Sequence, residues 1–197
     1  KGKMWVLGAG LVLGLEWHLV WAAASGMELL PPSRRNPMRS HTRGTGQLIR
    51  EALTVGAQHI FVGLGGSATN DGGCGIASVF GYRFLDSDGK ALDPVGSNLG
   101  RIARIEPPKE TILPKAIRIT AVNDVDNPLW GPEGAARVYA AQKGATKTDI
   151  ERLDSGLQNL DLLVSTHLGI QAGNLPGAGA AGGAAYGLNC FLGADFI

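Results

Sequence analysis

The sequence predicts an α/β fold, a mixed sheet with flanking helices, and three observations carry that expectation. Short apolar runs bounded by turn residues alternate with segments of helical period along the chain. A glycine-dense loop, residues 63–75, stands between an apolar run and a small-residue helical pattern, the strand–loop–helix order of layered α/β proteins. Strands and helices mix throughout, and no internal repeat of solenoid period interrupts them.

Taken in order, residues 22–32 (Ala-Ala-Ala-Ser-Gly-Met-Glu-Leu-Leu-Pro-Pro) end in a proline pair that stops any helix. Residues 33–42 form a basic polar loop with Arg34, Arg35 and Arg39. Thr45 then caps a helix whose apolar stripe is Leu48, Ile49, Ala52 and Leu53, ending near Gly56. A strand over 59–63 leads into the glycine loop, and a helix covers about 73 to 81. Residues 82–85 read as a strand, and Asp86-Ser87-Asp88-Gly89 as a turn. Alternation over 101–105 predicts another strand. A clearer one over 116–122 runs into Asn123-Asp124-Val125-Asp126-Asn127-Pro128. A short helix is expected over 134–141. The longest helix runs from 148 to about 168 on Ile150, Leu153, Leu157, Leu160 and Leu163. Pro176-Gly-Ala-Gly-Ala-Ala-Gly-Gly and a helix through Leu192 close the chain.

Bulk properties exclude several function classes. The 197 residues are 44% hydrophobic and 18% charged, as in ordinary globular domains, and the net charge of +1 gives no electrostatic case for nucleic acid or an anionic membrane as a partner. Two cysteines, Cys74 and Cys190, make neither a disulfide framework nor a metal site; packing is the expected role of Cys74 despite its place near a helix start. His18, His41, His59 and His167 lack ligand spacing. Residues 4–15 are apolar, but Glu16 and His18 interrupt them before the length of a membrane span, and no signal-peptide cleavage site follows. A cytoplasmic protein is expected. The chain does not begin with Met and reads as a fragment or a partial frame.

The chemistry concentrates in residues 63–75, Gly-Leu-Gly-Gly-Ser-Ala-Thr-Asn-Asp-Gly-Gly-Cys-Gly. Its glycines let backbone N–H groups approach a ligand, and Ser67, Thr69, Asn70 and Asp71 add polar side chains, so the loop reads as an anion cradle rather than a solvated turn. Three stretches imitate a dinucleotide fingerprint: Gly177-x-Gly179-x-x-Gly182, Gly63-x-Gly65-x-x-Ala68, and Gly8-Ala-Gly10, which has Leu13 where the third glycine belongs. The first follows a poor strand. In the second, the irregular Thr69-Asn70-Asp71-Gly72-Gly73 keeps a helix from starting at the second glycine, as a Rossmann site requires. Asp124 and Asp126 fall at the carboxyl end of a strand, where they suit either hydrated Mg²⁺ or an Asx-turn. Lys143, at the end of a short helix, either favours the dipole's negative end or neutralises a phosphate.

Together these residues resemble the type 1 glycerate kinases. The matching blocks are Ala-Ala-Ala-Ser-Gly-Met-Glu from Ala22, Arg43-Gly44-Thr45-Gly46, the glycine loop to Gly73, Asp124 to Pro128, Gln142 to Ala145 and Pro176 to Gly183, in family order and spacing. The resemblance implies transfer of the γ-phosphoryl of ATP, with Mg²⁺, to a hydroxyl of D-glycerate. It also implies that residues 22–197 are the inserted second domain of a two-domain enzyme. Segments 1–21 match poorly, with Val20-Trp21 where the family has Glu-Met, and the family's N- and C-terminal motifs are absent, so the missing N- and C-terminal lobe is an expected partner and the fragment alone is expected to be inactive.

Within that resemblance, Asp71, Asp124 and Lys143 are the expected catalytic residues. Arg43, Gly65, Gly66, Ser67, Thr69, Asn70, Gly72 and Gly73 are expected to bind substrate or phosphate, and Asp124 to meet Mg²⁺. A catalytically incomplete domain that binds an organic acid or a partner chain is the alternative, and a nicotinamide-dependent dehydrogenase a further one.

Overall fold

The computed structural model describes residues 4–7, 10–13, 16–20, 22–110, 112–114 and 116–197. In chain order its main elements are β1 (Met4–Leu7), β2 (Gly10–Leu13), β3 (Glu16–Val20), α1 (Ala22–Ser25), α2 (Arg43–Thr54), β4 (His59–Gly63), α3 (Cys74–Val79), β5 (Arg83–Leu85), β6 (Arg104–Glu106), β7 (Arg118–Val122), α4 (Ala135–Tyr139), α5 (Lys147–Leu168), α6 (Ala180–Leu192) and β8 (Asp195–Phe196). A six-stranded sheet has the order β1-β2-β3-β4-β7-β8, and β5 and β6 form a separate antiparallel pair. The first three strands are antiparallel, while β3, β4, β7 and β8 run parallel. This is the mixed α/β sheet that the sequence predicts.

Strand alternation sets the core. Ile60 and Val62 of β4 are fully buried, and the register puts Trp17 and Leu19 of β3 and Ile119 and Ala121 of β7 on the same face. These side chains join one cluster with Ile49 and Ala52 of α2, Ile76 of α3, Leu153, Leu157 and Leu160 of α5, and Tyr186 and Leu188 of α6. The opposite face carries a smaller aromatic group. His18 stacks on Phe61 at 4.8 Å, and His59 lies against the other side chain of that strand, Phe61, at 3.9 Å while meeting Thr120 Oγ1 at 2.8 Å.

The long helix begins and ends where local chemistry dictates. Thr146 and Asp149 form a capping box, and Gly169 adopts the left-handed conformation that closes the helix. Two segments depart from expectation. Residues 1–21, for which the sequence predicts no element, contribute three strands, and β3 pairs directly with β4. Apolar runs as short as Met-Trp-Val-Leu and Gly-Leu-Val-Leu carry no alternation that tells a strand from other buried structure. Residues 1–3, 8–9, 14–15 and 21 of that segment lie outside the described ones. The strand expected over 101–105 is found as β6, Arg104–Glu106, set toward the carboxyl side because the chain up to Arg101 forms a 3₁₀ turn, Gly96–Arg101. Asn159 of α5 donates to the carbonyls of Leu99 and Ile102, so a distant side chain satisfies that turn in place of a strand ladder. Among the described residues, no helix is long and apolar enough to cross a membrane.

Candidate functional site

Two loops leave the carboxyl ends of the paired strands β4 and β7 side by side. Gly63 pairs with Val122, and the Leu64 N–H donates to the Val122 carbonyl at 2.8 Å. Ligands in α/β sheets bind at this edge. Here a pocket of about 230 Å³ opens between Gly65, Gly66 and Ser67 on one side and Asp124 and Val125 on the other, closed by Tyr139, Gln142, Lys143 and Ala181. Drug-sized ligands occupy roughly 300–1,000 Å³. The pocket therefore has room for a small acid or a phosphate group, not for a whole nucleotide.

The glycine loop divides into an open half and a packed half. Gly65 and Gly66 are exposed, and among the described residues the amides of Gly65, Gly66 and Ser67 have no acceptor. A single antiparallel bridge fixes this half: Met27 donates to the Gly66 carbonyl and Ala68 to the Ser25 carbonyl, each at 2.8 Å. The Ser25 hydroxyl in turn lies 2.9 Å from that of Thr45, tying the loop to α2.

From Ala68 onward the loop is buried, and the structure does not bring Gly72 or Gly73 to the pocket. Gly72 packs so closely on α5 that a Cβ there would lie 2.4 Å from Leu160 Cδ2. Gly73 faces Gly187 of α6 in the same way. Their amides are already used, by the Gly182 carbonyl and by Asp71 Oδ1.

Asp71 is equally internal. Its carboxylate accepts from the Thr42 N–H at 2.8 Å, the Thr42 hydroxyl at 2.9 Å, and the amides of Gly75 and Gly73 at 3.0 and 3.2 Å. Burial pushes this carboxyl above its usual range, and those donors pull the other way. Arg43 also points elsewhere: its guanidinium meets Ser78 and Asp93. Cys74 is fully buried, and burial raises its thiol well above the usual value, as a packing role requires.

Lys143 is the opposite case. It is only 2% exposed, yet it lines the pocket, with Nζ donating to Ser67 Oγ at 2.8 Å and to the Thr69 carbonyl at 2.7 Å. Burial lowers its amine to about 7, with the charge of Asp71 acting against that shift. Behind it, Thr69 Oγ1 and both polar atoms of the Asn70 side chain are buried without a partner. Asp124 reaches the pocket from the second loop, while the neighbouring Asn123 accepts from the Val125 amide in an Asx-turn.

Tyr139 was not among the expected site residues. It lines the pocket and donates to Asn127 Oδ1 at 2.6 Å, bracing the Asp124 loop. It sits one helical turn before Gln142 and Lys143, and that spacing was the signal available in the sequence. Ala181 was missed as well. It is the one described non-glycine residue at positive φ (53°), at the start of a kink that continues through Gly182 and Gly183.

The dinucleotide look-alike at residues 177–182 resolves into packing. Gly179 and Gly182 press on the Pro128 and Thr69 carbonyls, closer than any Cβ allows, so these glycines seat backbone on backbone between the two site loops. A larger groove of about 700 Å³ runs along the outer face of α5 beside residues 171–175. Its one charged lining residue is Asp161, whose carboxylate holds the Trp130 indole at 3.0 Å. Its loop carries no glycine pair exposed like Gly65-Gly66, and no lysine or arginine lines it, so it is the weaker candidate for an anion despite its size.

The fold and the pocket define an α/β domain with a small polar pocket at the carboxyl edge of its parallel strands. The Glycerate kinase family profile matches residues 18–197, and the chain belongs to that family. It is 44% identical over 176 residues to a glycerate kinase of Halalkalibacterium halodurans, covering 89% of this chain and 46% of that protein. To the glycerate 2-kinase of Escherichia coli K12 it is 41% identical over 174 residues, covering 88% and 46%. A crystal structure assigned as glycerate kinase 2 from Salmonella typhimurium LT2 superposes with a TM-score of 0.88 at 40% identity, covering 95% of this chain and 51% of that one. The chain thus spans about half the length of the relatives it matches.

Proposed function

We propose that this chain supplies the acid- and phosphate-gripping half of an ATP-dependent glycerate kinase, which transfers the γ-phosphoryl group to a hydroxyl of D-glycerate. The observation that carries the reading is the juxtaposition of three free loop amides, Gly65 to Ser67, with Lys143 and Asp124 around one small pocket. Phosphoryl transfer depends mainly on positioning and on stabilising developing charge, and this is the equipment for both. Size favours glycerate or a terminal phosphate in the pocket, leaving the rest of the nucleotide outside it.

Among the described residues no group of three acidic, histidine or cysteine side chains could cage a metal ion. One carboxylate, Asp124, does reach the pocket, and that fits Mg²⁺ arriving on nucleotide phosphates with most of its shell already supplied. In this reading turnover needs the sequence equivalent to the other half of the relatives, and a reaction drawing on ATP takes place in the cytoplasm.

The test is a steady-state assay with ATP, Mg²⁺ and D-glycerate on the chain alone and on the chain reconstituted with the complementary half of a relative. Phosphoglycerate from the reconstituted protein but not from the chain alone is the expected result. No product from either contradicts the kinase reading, and robust turnover by the chain alone contradicts the division into halves.

A further inference from the structure

We propose that Lys143 is the proton acceptor for the substrate hydroxyl, a neutral amine seated between Ser67 and Thr69 rather than a standing positive charge. This rests on the glycerate kinase reading. A neutral amine has two N–H donors and one lone pair, and the bonds to Ser67 Oγ and the Thr69 carbonyl use both donors and leave the lone pair over. Both protein acceptors are neutral, and an amine only 2% exposed with no carboxylate bonded to it among the described residues is costly to charge, so the cage suits the neutral form.

Of the groups that face this amine, Asp71 of the glycine loop is the negative charge that favours the ammonium, but its oxygens are taken by Thr42, Gly73 and Gly75. Asp124 and Tyr139 line the same pocket without bonding to Nζ. Arg35 presents its backbone carbonyl to Gly144 and turns its guanidinium to the Leu30 carbonyl. Among the described residues no carboxylate bonds to the amine, whereas a permanent ammonium in so buried a place requires one. Its amine value of about 7 suits a group that must take up and release a proton near neutral pH. The unpartnered Thr69 hydroxyl and Asn70 amide beside it show a loop with hydrogen-bonding capacity held open, which an inert scaffold would have filled.

The step balances as follows. The substrate hydroxyl oxygen bonds to the γ-phosphorus of a nucleoside triphosphate. The bond from that phosphorus to the β–γ bridging oxygen breaks, and its electron pair leaves on the diphosphate. The hydroxyl proton passes to the lone pair of Lys143 Nζ, and the resulting ammonium releases it to solvent through the pocket mouth.

The state of the amine is read directly by a ¹³Cε NMR titration of lysine in this chain, with Lys143→Met confirming the assignment. Lys143 is the one described lysine in the buried set, so the wild-type spectrum identifies it even if the variant does not fold. A line titrating near pH 7 supports the proposal; titration near the ordinary lysine value of about 10.4 overturns it. In the reconstituted protein, Lys143→Arg keeps a positive charge but cannot accept a proton. Loss of about 100-fold or more in kcat, with KM for D-glycerate changed only a few-fold, supports the proposal. Retention of kcat within a few-fold overturns it while leaving the kinase reading intact. Wild-type protein that makes no phosphoglycerate overturns the kinase reading and this inference together.

Discussion

Asp71→Ala is the perturbation whose cost the structure specifies best. The wild-type carboxylate, fully buried, accepts four hydrogen bonds: two from Thr42 and one each from Gly73 and Gly75. The Thr42 hydroxyl also receives the Ile76 N–H at 2.9 Å, so the network joins the start of α2 to the start of α3. A buried donor left without an acceptor costs about 1–3 kcal/mol, and partial relaxation keeps several of them from adding fully. A loss of about 3–6 kcal/mol follows, a large share of the roughly 5–15 kcal/mol that stabilises a typical domain. For a chain of this size that lowers Tm by about 10–20 °C. Asp71→Asn retains one acceptor oxygen and should lose about half as much. Urea denaturation followed by circular dichroism and tryptophan fluorescence measures both variants. If Asp71→Ala unfolds within about 0.5 kcal/mol of wild type, the four bonds do not hold the loop, and Asp71 regains its place as a candidate for the chemistry.

Lys143 makes stability depend on pH. Its amine is lowered from 10.5 to about 7 in the folded state, so the unfolded chain binds more protons between those values and stability rises as pH increases through that window. Urea unfolding at pH 6.5 and pH 9 should differ by about 2 kcal/mol in wild type, with the rise absent from Lys143→Met; equal slopes in the two proteins contradict the shift. Gly182→Ala places a Cβ against the Thr69 carbonyl at a positive φ of 72°, and should cost about 2–4 kcal/mol by the same denaturation measurement. Thr146→Ala removes the capping box of α5 and should cost about 1 kcal/mol without altering ligand binding at the pocket, checked by thermal melts and a D-glycerate titration.

Much of the fold was legible because the chain announces it locally. The strand 59–63 is bounded by a turn before it and glycines after it, and α5 shows its apolar stripe on Leu153, Leu157 and Leu160. What stayed hidden depends on partners far along the chain. The turn at 96–101 is decided by Asn159, and the facing of the glycine loop by Leu160 and Gly187. The loop's composition therefore reads as one anion cradle, whereas packing leaves Leu64 to Ser67 lining the pocket and draws Gly72, Gly73 and Asp71 into the core. Lys143 was visible as a cation near a helix end, but its burial was not, because it follows from Gly144 closing on the Arg35 carbonyl and from the loop folding over it. Arg43 looked suited to a phosphate by charge alone, and Asp93, distant in sequence, gives it another partner.

The most direct test is an amide ¹H–¹⁵N spectrum of this chain titrated with D-glycerate and then with ATP and Mg²⁺. Saturable shifts at Gly65, Gly66, Ser67 and Lys143, with Gly72 and Gly73 moving little, are the predicted result. Shifts confined to the α5 groove around Gln158 and Asn174, with the loop amides unchanged, would show that the anion is held somewhere else.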